Sequence, residues 1–120
     1  MMPNNSSERS LTIRSNIVQL RLTAELAGYL DSETLSNLGE LLELATTDVS
    51  AGIVRDFEFN VSQIYLMSSS AISCLASWVK SMNERFPASK IFFRTSQELT
   101  WQRRALAPIR RLAPQSVFVD

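Results

Sequence analysis

The chain has 120 residues, 45% of them hydrophobic, which suits one compact domain with a small core. Its 12 basic and 12 acidic side chains leave no net charge, which argues against a general nucleic-acid binder. Histidine is absent, which removes the commonest metal ligand and general base, and the single cysteine, Cys74, excludes an internal disulfide.

The charges are unevenly spread. Residues 1–75 carry 4 basic and 9 acidic groups, net −5, and residues 76–120 carry 8 basic and 3 acidic groups, net +5. Either the two parts attract each other across the fold or the split polarises a surface that steers a partner. No apolar run is long enough to span a membrane, and the polar start MMPNNSSERS lacks the apolar stretch of a signal peptide. The expected location is the cytoplasm, with residues 1–9 as a loose N-terminal tail and residues 10–120 as the domain.

Leu11 and Ile13 suggest a short first strand, followed by a turn near Ser15–Asn16. Within Asn16–Leu26, Val18, Leu20, Leu22, Ala24 and Leu26 alternate with polar residues, the pattern of a half-buried strand. The pair reads as an N-terminal hairpin. A helix is expected over Ser32–Ala45, capped by Asp31 or Ser32, with Leu35, Leu38, Leu42 and Ala45 on its buried face. Thr46–Gly52 reads as a polar connection.

Ile53–Met67 holds a strand, in which Phe57, Phe59 and Val61 alternate with Glu58 and Asn60. A polar turn at Ser62–Gln63 and a second extended piece, Ile64–Met67, follow. Ser68-Ser69-Ser70 leads into a second helix, about Ala71–Asn83, with Ile72, Leu75, Ala76, Val79 and Met82 inward. Lys90–Arg94 is a short strand, and Gln97–Ala107 a third helix that Pro108 should break or kink. Ile109–Leu112 adds a turn, and Val117–Val119 a last strand. After the hairpin, strands alternate with helices, which favours right-handed crossovers and a mainly parallel sheet.

The serine run is the most informative segment. A helix N-terminus leaves backbone N–H groups unpaired, and its dipole favours negative charge. A serine there can simply cap the helix. It can also carry a phosphate in a favourable field, or offer a hydroxyl to a partner.

Phe59-Asn60-Val61-Ser62, the apolar approach Ile64–Met67 and the turn Ser68-Ser69-Ser70-Ala71-Ile72-Ser73 together resemble the signature of the STAS domains, the anti-sigma-factor antagonist family. Leu30-Asp31-Ser32-Glu33-Thr34 resembles that family's entry into its first helix, and Ser116-Val117-Phe118-Val119 its common ending. The resemblance covers roughly residues 10–120. It implies an α/β fold with a mostly parallel sheet of four to five strands, an N-terminal hairpin and helices packed on the sheet.

The resemblance also implies a regulatory protein-binding module of a bacterial partner-switching pathway, without catalysis or cofactor. It places Ser70 on the phosphoacceptor serine, with Ser69 as the alternative. Ser68, Ser69, Ser70, Ala71, Ser73 and Asp31 become the partner-contacting set. The implied partner is a serine kinase of the histidine-kinase-like ATPase type that is also the anti-sigma factor, with a metal-dependent phosphatase reversing the modification.

The sequence departs from the family where Ser68 replaces an aspartate and where Ala71 and Ser73 replace glycines. Ala105–Pro114 is also longer than usual. A constitutive scaffold in a signalling or lipid-transport assembly is therefore the second reading, and a homodimer is left open. A Ser–Lys or Ser–acid enzyme is the third, against which stand the missing histidine and a total of 3 glycines.

Other residues carry two readings each. Trp78 either packs at the core edge or anchors a partner. Arg103, Arg104, Arg110 and Arg111 form either a solvated helix face or a grip on an acidic partner, anionic lipid or phosphate. Cys74 reads as a small buried hydrophobe. Glu40 and Glu43 read as the wet face of the first helix.

Overall fold

The computed structural model describes residues 10–120, so the expected tail, residues 1–9, lies outside the described residues. The elements are β1 (Leu11–Val18), β2 (Arg21–Leu30), α1 (Leu35–Ser50), β3 (Asp56–Met67), α2 (Ser69–Arg85), β4 (Ile91–Arg94), α3 (Trp101–Leu112) and β5 (Val117–Val119). They build one five-stranded sheet of order β1-β2-β3-β4-β5. β1 and β2 pair antiparallel, and β2 through β5 run parallel, so the expected α/β architecture is the one observed.

Alternation along the strands sorts the sheet into two faces. Leu22, Ala24, Leu26, Phe57, Phe59, Val61, Ile91, Phe93 and Val117 are buried together with Leu38, Leu42, Leu75, Val79, Leu106 and Ile109 of the three helices. The opposite face is open and carries Arg21, Glu58, Phe92, Arg94 and Phe118. Arg21 lies 4.6 Å above the Phe92 ring, and Phe92 stacks on Phe118 at 5.1 Å between centroids. Phe92 and Phe93 thus point to opposite faces, as consecutive strand residues must. Trp78 is a core residue. It meets Phe57 and Phe59 edge-on at 5.2 and 5.6 Å, and its indole N–H donates to Thr46 Oγ1 at 3.0 Å.

Several boundaries differ from the sequence expectation, each for a physical reason. The hairpin turns at Gln19–Leu20, not at Ser15–Asn16. Both turn residues hold positive φ (52° and 68°), a conformation that glycine and asparagine usually supply. The two-residue turn sets Val18 opposite Arg21 and Ile17 opposite Leu22, so Val18 and Leu22 fall on opposite faces although Val18, Leu20 and Leu22 read as one alternating run. Gly28, at φ 117°, allows β1 to approach β2 closely, because a Cβ there would run into the Ser10 carbonyl.

α1 starts and ends later than expected. Asp31–Thr34 form a separate turn ahead of it, and Val49 adds one more buried residue at its end. Ser62–Gln63 is no turn, because β3 continues through it. The register against β2 slips twice, between Glu25 and Ala27 and between Gly28 and Tyr29, so β3 carries extra residues at both places. Asn60 Oδ1 secures the first slip by accepting from Ser62 N (3.0 Å) and Ser62 Oγ (2.6 Å).

α3 begins at Trp101 and continues past Pro108 to Leu112, so the proline does not end the helix. Pro108 is exposed, so the carbonyl that loses its helical donor lies on the wet side. Cys74 is half-exposed rather than buried. With Gly39, Leu42, Thr46 and Trp78 it lines an open groove of about 590 Å³ between α1 and α2. Desolvation pushes its thiol pKa up, away from a reactive thiolate.

Candidate functional site

The serine turn lies at the carboxyl end of β3, where the strand enters α2. The Leu30 carbonyl accepts from Ser68 N at 2.8 Å, which ties the turn to the end of the neighbouring strand β2. Ser68 is the N-cap of α2. Its backbone is extended, and its Oγ accepts from Ala71 N at 3.2 Å. The same oxygen lies 2.9 Å from Ser70 Oγ. Ser69, Ser70 and Ser73 are exposed, and Ser68 is half-buried. No acidic residue lies in the first turn of α2, so the positive end of the helix dipole is not offset from within that turn.

Two members of the expected contact set are buried. Ala71 is 0% exposed, so its methyl group underlies the turn and offers a partner no surface. Asp31 is 6% exposed and faces its own turn, where Oδ1 accepts from Glu33 N (3.0 Å) and Thr34 N (3.2 Å). Thr34 Oγ1 donates to the Tyr29 carbonyl at 2.7 Å and accepts from Asp31 N at 3.1 Å. The sheet brings Asp31 to the same end as the serines, because Leu30 pairs with Met67. Its carboxylate fixes the entry to α1.

The sequence reading missed the apolar half of this corner. Tyr65 is 63% exposed and lies 6.1 Å from Tyr29, ring to ring, and Leu66 is 36% exposed. Ile64–Met67 reads in sequence as one apolar approach. The slip between Gly28 and Tyr29 leaves Tyr65 without a partner in the register, and its ring comes to lie on the surface. The exposed serines of the α2 entry therefore adjoin the exposed end of an apolar strand.

The corner is backed by a buried polar clamp. Gln102 of α3 is 0% exposed, and its Nε2 donates to the carbonyls of Val61 and Ile64, both at 2.9 Å. Its Oε1 accepts from Ser96 N at 2.7 Å. β4 ends beside Asn60, so these β3 carbonyls lie beyond the stretch where β4 pairs, and Gln102 supplies the missing donors.

The remaining candidates lie elsewhere. Arg103, Arg104, Arg110 and Arg111 are exposed on α3, and Arg103 Nε is 3.4 Å from Thr95 Oγ1. Glu40 and Glu43 are exposed on α1. Among the described residues no three histidine, cysteine or carboxylate side chains gather as a metal site, and no helix is long and apolar enough to cross a membrane.

No protein-family model matches this chain, and neither does any curated protein. Solved structures do. An anti-sigma factor antagonist from Mycobacterium paratuberculosis superposes with a TM-score of 0.66 at 14% identity, covering 92% of this chain and 86% of that one. The antagonist SpoIIAA in its unphosphorylated form gives 0.63 at 14% identity, covering 91% and 88%. The Bacillus cell fate determinant SpoIIAA in its phosphorylated form gives 0.59 at 12% identity, covering 91% of each chain. With the sheet order and the serine-capped α2 established above, these likenesses identify the fold of this chain as the STAS fold of the anti-sigma factor antagonists.

Proposed function

We propose that this chain is a regulatory protein-binding module that docks through the β3–α2 corner and is switched by phosphorylation at Ser70. The observation that carries the proposal is the exposed Ser69–Ser70 pair on an uncompensated helix N-terminus, beside exposed Tyr65 and Leu66. The fold lends support, because SpoIIAA, which shares it, has been solved both unphosphorylated and phosphorylated. In this reading Tyr65 and Leu66 supply apolar contact area, and the serine hydroxyls fit a neutral surface. A phosphate adds about −1.5 to −2 charges, which the helix dipole tolerates and an apolar or acidic partner surface does not. Phosphorylation therefore opposes docking. The partner is a serine kinase of the ATPase type that is also an anti-sigma factor, and a metal-dependent phosphatase resets the switch.

The test pairs mass spectrometry with binding. Incubation with ATP and candidate kinases from the same genome places phosphate on Ser70, or on Ser69. Ser70→Asp then binds the partner at least about tenfold more weakly than Ser70→Ala, as adding a charge beside a desolvated contact should. Absence of phosphate under conditions where the kinase is active rejects the switch.

A second reading, a constitutive scaffold, is favoured by one detail. Ser68 stands where the resembling family carries an aspartate, and here it is engaged as the helix cap. Equal binding by both Ser70 variants selects that reading.

A further inference from the structure

β1 is the first strand of the sheet. One of its edges carries β2, and among the described residues nothing pairs with the other. In an antiparallel ladder, residues that bond to the neighbour alternate with residues whose N–H and C=O point away. Tyr29 N donates to Ser10 O at 3.0 Å, and the register continues from Leu11↔Gly28 to Val18↔Arg21. That bond sets the phase. Thr12, Arg14, Asn16 and Val18 direct their backbone groups to β2, and Leu11, Ile13, Ser15 and Ile17 direct theirs outward.

Exposed edges usually carry a device against pairing: a proline, a lysine, a bulge or an inward charge. β1 has none of these. Its sequence LTIRSNIV contains no proline or lysine, and its ladder has no register slip. Its one charge, Arg14, reaches across to Glu25 at 2.7 Å. The strip beside the edge is part apolar, with Ser15, Asn37 and Glu40 lining it as well. Leu11 and Ile13 join Leu41 and Leu44 of α1 around an open groove of about 330 Å³, with Leu44 45% and Ile17 40% exposed.

We propose that β1 pairs antiparallel with β1 of a second copy of this chain, about a two-fold axis through Ser15. The two five-stranded sheets then become one continuous sheet. A second copy is the occupant because the edge complements itself in this register. Ser15 faces the second copy's Ser15, and Ile13 faces the second copy's Ile17, all of them residues whose backbone groups point outward. Arg14 faces Asn16, and Thr12 faces Val18, so no like charges stand directly opposite; the two Arg14 residues are diagonal neighbours, each paired with its own Glu25. An axis through residue 14 would set Arg14 against Arg14, which is unfavourable directly across a ladder. An axis between residues 14 and 15 would oppose outward-bonding residues to residues already bonded to β2. In the favoured register Ile13 and the second copy's Ile17 share the helix-covered face, next to Leu41 and Leu44. β3 and its serine corner lie outside the pairing edge.

Sedimentation equilibrium of the full chain tests the proposal and should show a concentration-dependent monomer–dimer equilibrium. Ser15→Pro removes an outward N–H and leaves the bonds to β2 intact. Two ladder bonds lost per dimer should weaken self-association by about tenfold or more, with an unchanged circular-dichroism spectrum. In a second arm, Ser15→Cys in a Cys74→Ala background should form an intermolecular disulfide on mild oxidation. Facing residues that exchange bonds have Cα atoms about 5.5 Å apart, within disulfide reach. Thr12→Cys in the same background should cross-link poorly. A chain that stays monomeric at all concentrations overturns the proposal, as does a dimer in which Thr12→Cys cross-links as readily as Ser15→Cys.

Discussion

Asp56 begins β3 and ties three strands together at the end of the sheet opposite the serines. Its backbone N–H donates to the Leu20 carbonyl at 3.1 Å, and its Oδ1 accepts from Lys90 N at 3.0 Å. Its Oδ2 accepts from Arg55 Nη2 at 3.0 Å. Burial alone would raise this carboxyl's pKa, but the Lys90 N–H, the Arg55 guanidinium and the charge of Arg21 outweigh it and hold the pKa below the ordinary aspartate value. A depressed folded pKa means that the unfolded chain binds the proton more readily. The stabilisation is therefore complete above the ordinary aspartate value and is lost as pH falls through the folded one. Asp56→Asn should cost about 1–2 kcal/mol at neutral pH, read by urea unfolding, and the gap should close as pH drops below about 4. A gap independent of pH would show that the carboxylate's charge contributes nothing. Sequence pattern gave no hint of this role, because an aspartate ahead of an apolar strand reads as a loop residue. Gln102 was equally illegible. In a helix as amphipathic as α3 a glutamine reads as wet, and only the β3 carbonyls beyond the end of β4 make it a core residue.

At the scale of elements, legibility followed periodicity. α2 lies close to where its apolar spacing puts it, because a helical stripe has one solution, and β5 is a short run of strand-forming residues that matches the expected Val117–Val119. The hairpin turn and the slips in β3 were not legible, because each leaves the alternation readable in more than one way. Asn60-Val61-Ser62-Gln63 has turn chemistry, and its Asn60–Ser62 bonds build a bulge inside a continuous strand instead. The entry to α2 was legible as a cap, and the structure places that role on Ser68 alone. Ser68→Ala should therefore destabilise the protein by about 1 kcal/mol, whereas Ser68→Asp keeps the cap and adds a favourable charge at the helix N-terminus. Thermal unfolding of the two variants checks this. A loss of the same size in Ser68→Asp would mean that the Ser68–Ser70 hydroxyl contact, and not the cap, holds the turn.

For the whole molecule, the alternation of strands and helices after the hairpin was enough to expect parallel strands joined by helical crossovers, since few other topologies bury such helices. The charge split was harder to read. Of the described ion pairs, Glu58–Arg94 alone joins the acidic part of the chain to the basic part, so the basic face of α3 stays in solvent. That single junction is the centre of a chain of charges across the open face. Glu58 Oε1 meets Arg21 Nη1 at 3.2 Å, its Oε2 meets Arg94 Nε at 3.0 Å, and Arg94 Nη1 meets Asp120 Oδ2 at 2.5 Å. One carboxylate on β3 thus serves cations on β2 and β4, and the second cation reaches past β5. The Glu58 side chain is 17% exposed, against 38% and 46% for its two arginines, so solvent screens these pairs only in part. Glu58→Gln leaves both guanidiniums near each other without the shared anion. The expected cost is about 1 kcal/mol at low ionic strength, above the median for a surface pair because one anion serves two cations. At about 1 M salt, where the screening length falls to about 3 Å, most of that difference should vanish. Urea unfolding of both proteins at the two salt levels measures it. An equal gap at both levels would show that the loss comes from hydrogen-bond geometry in the sheet and not from charge.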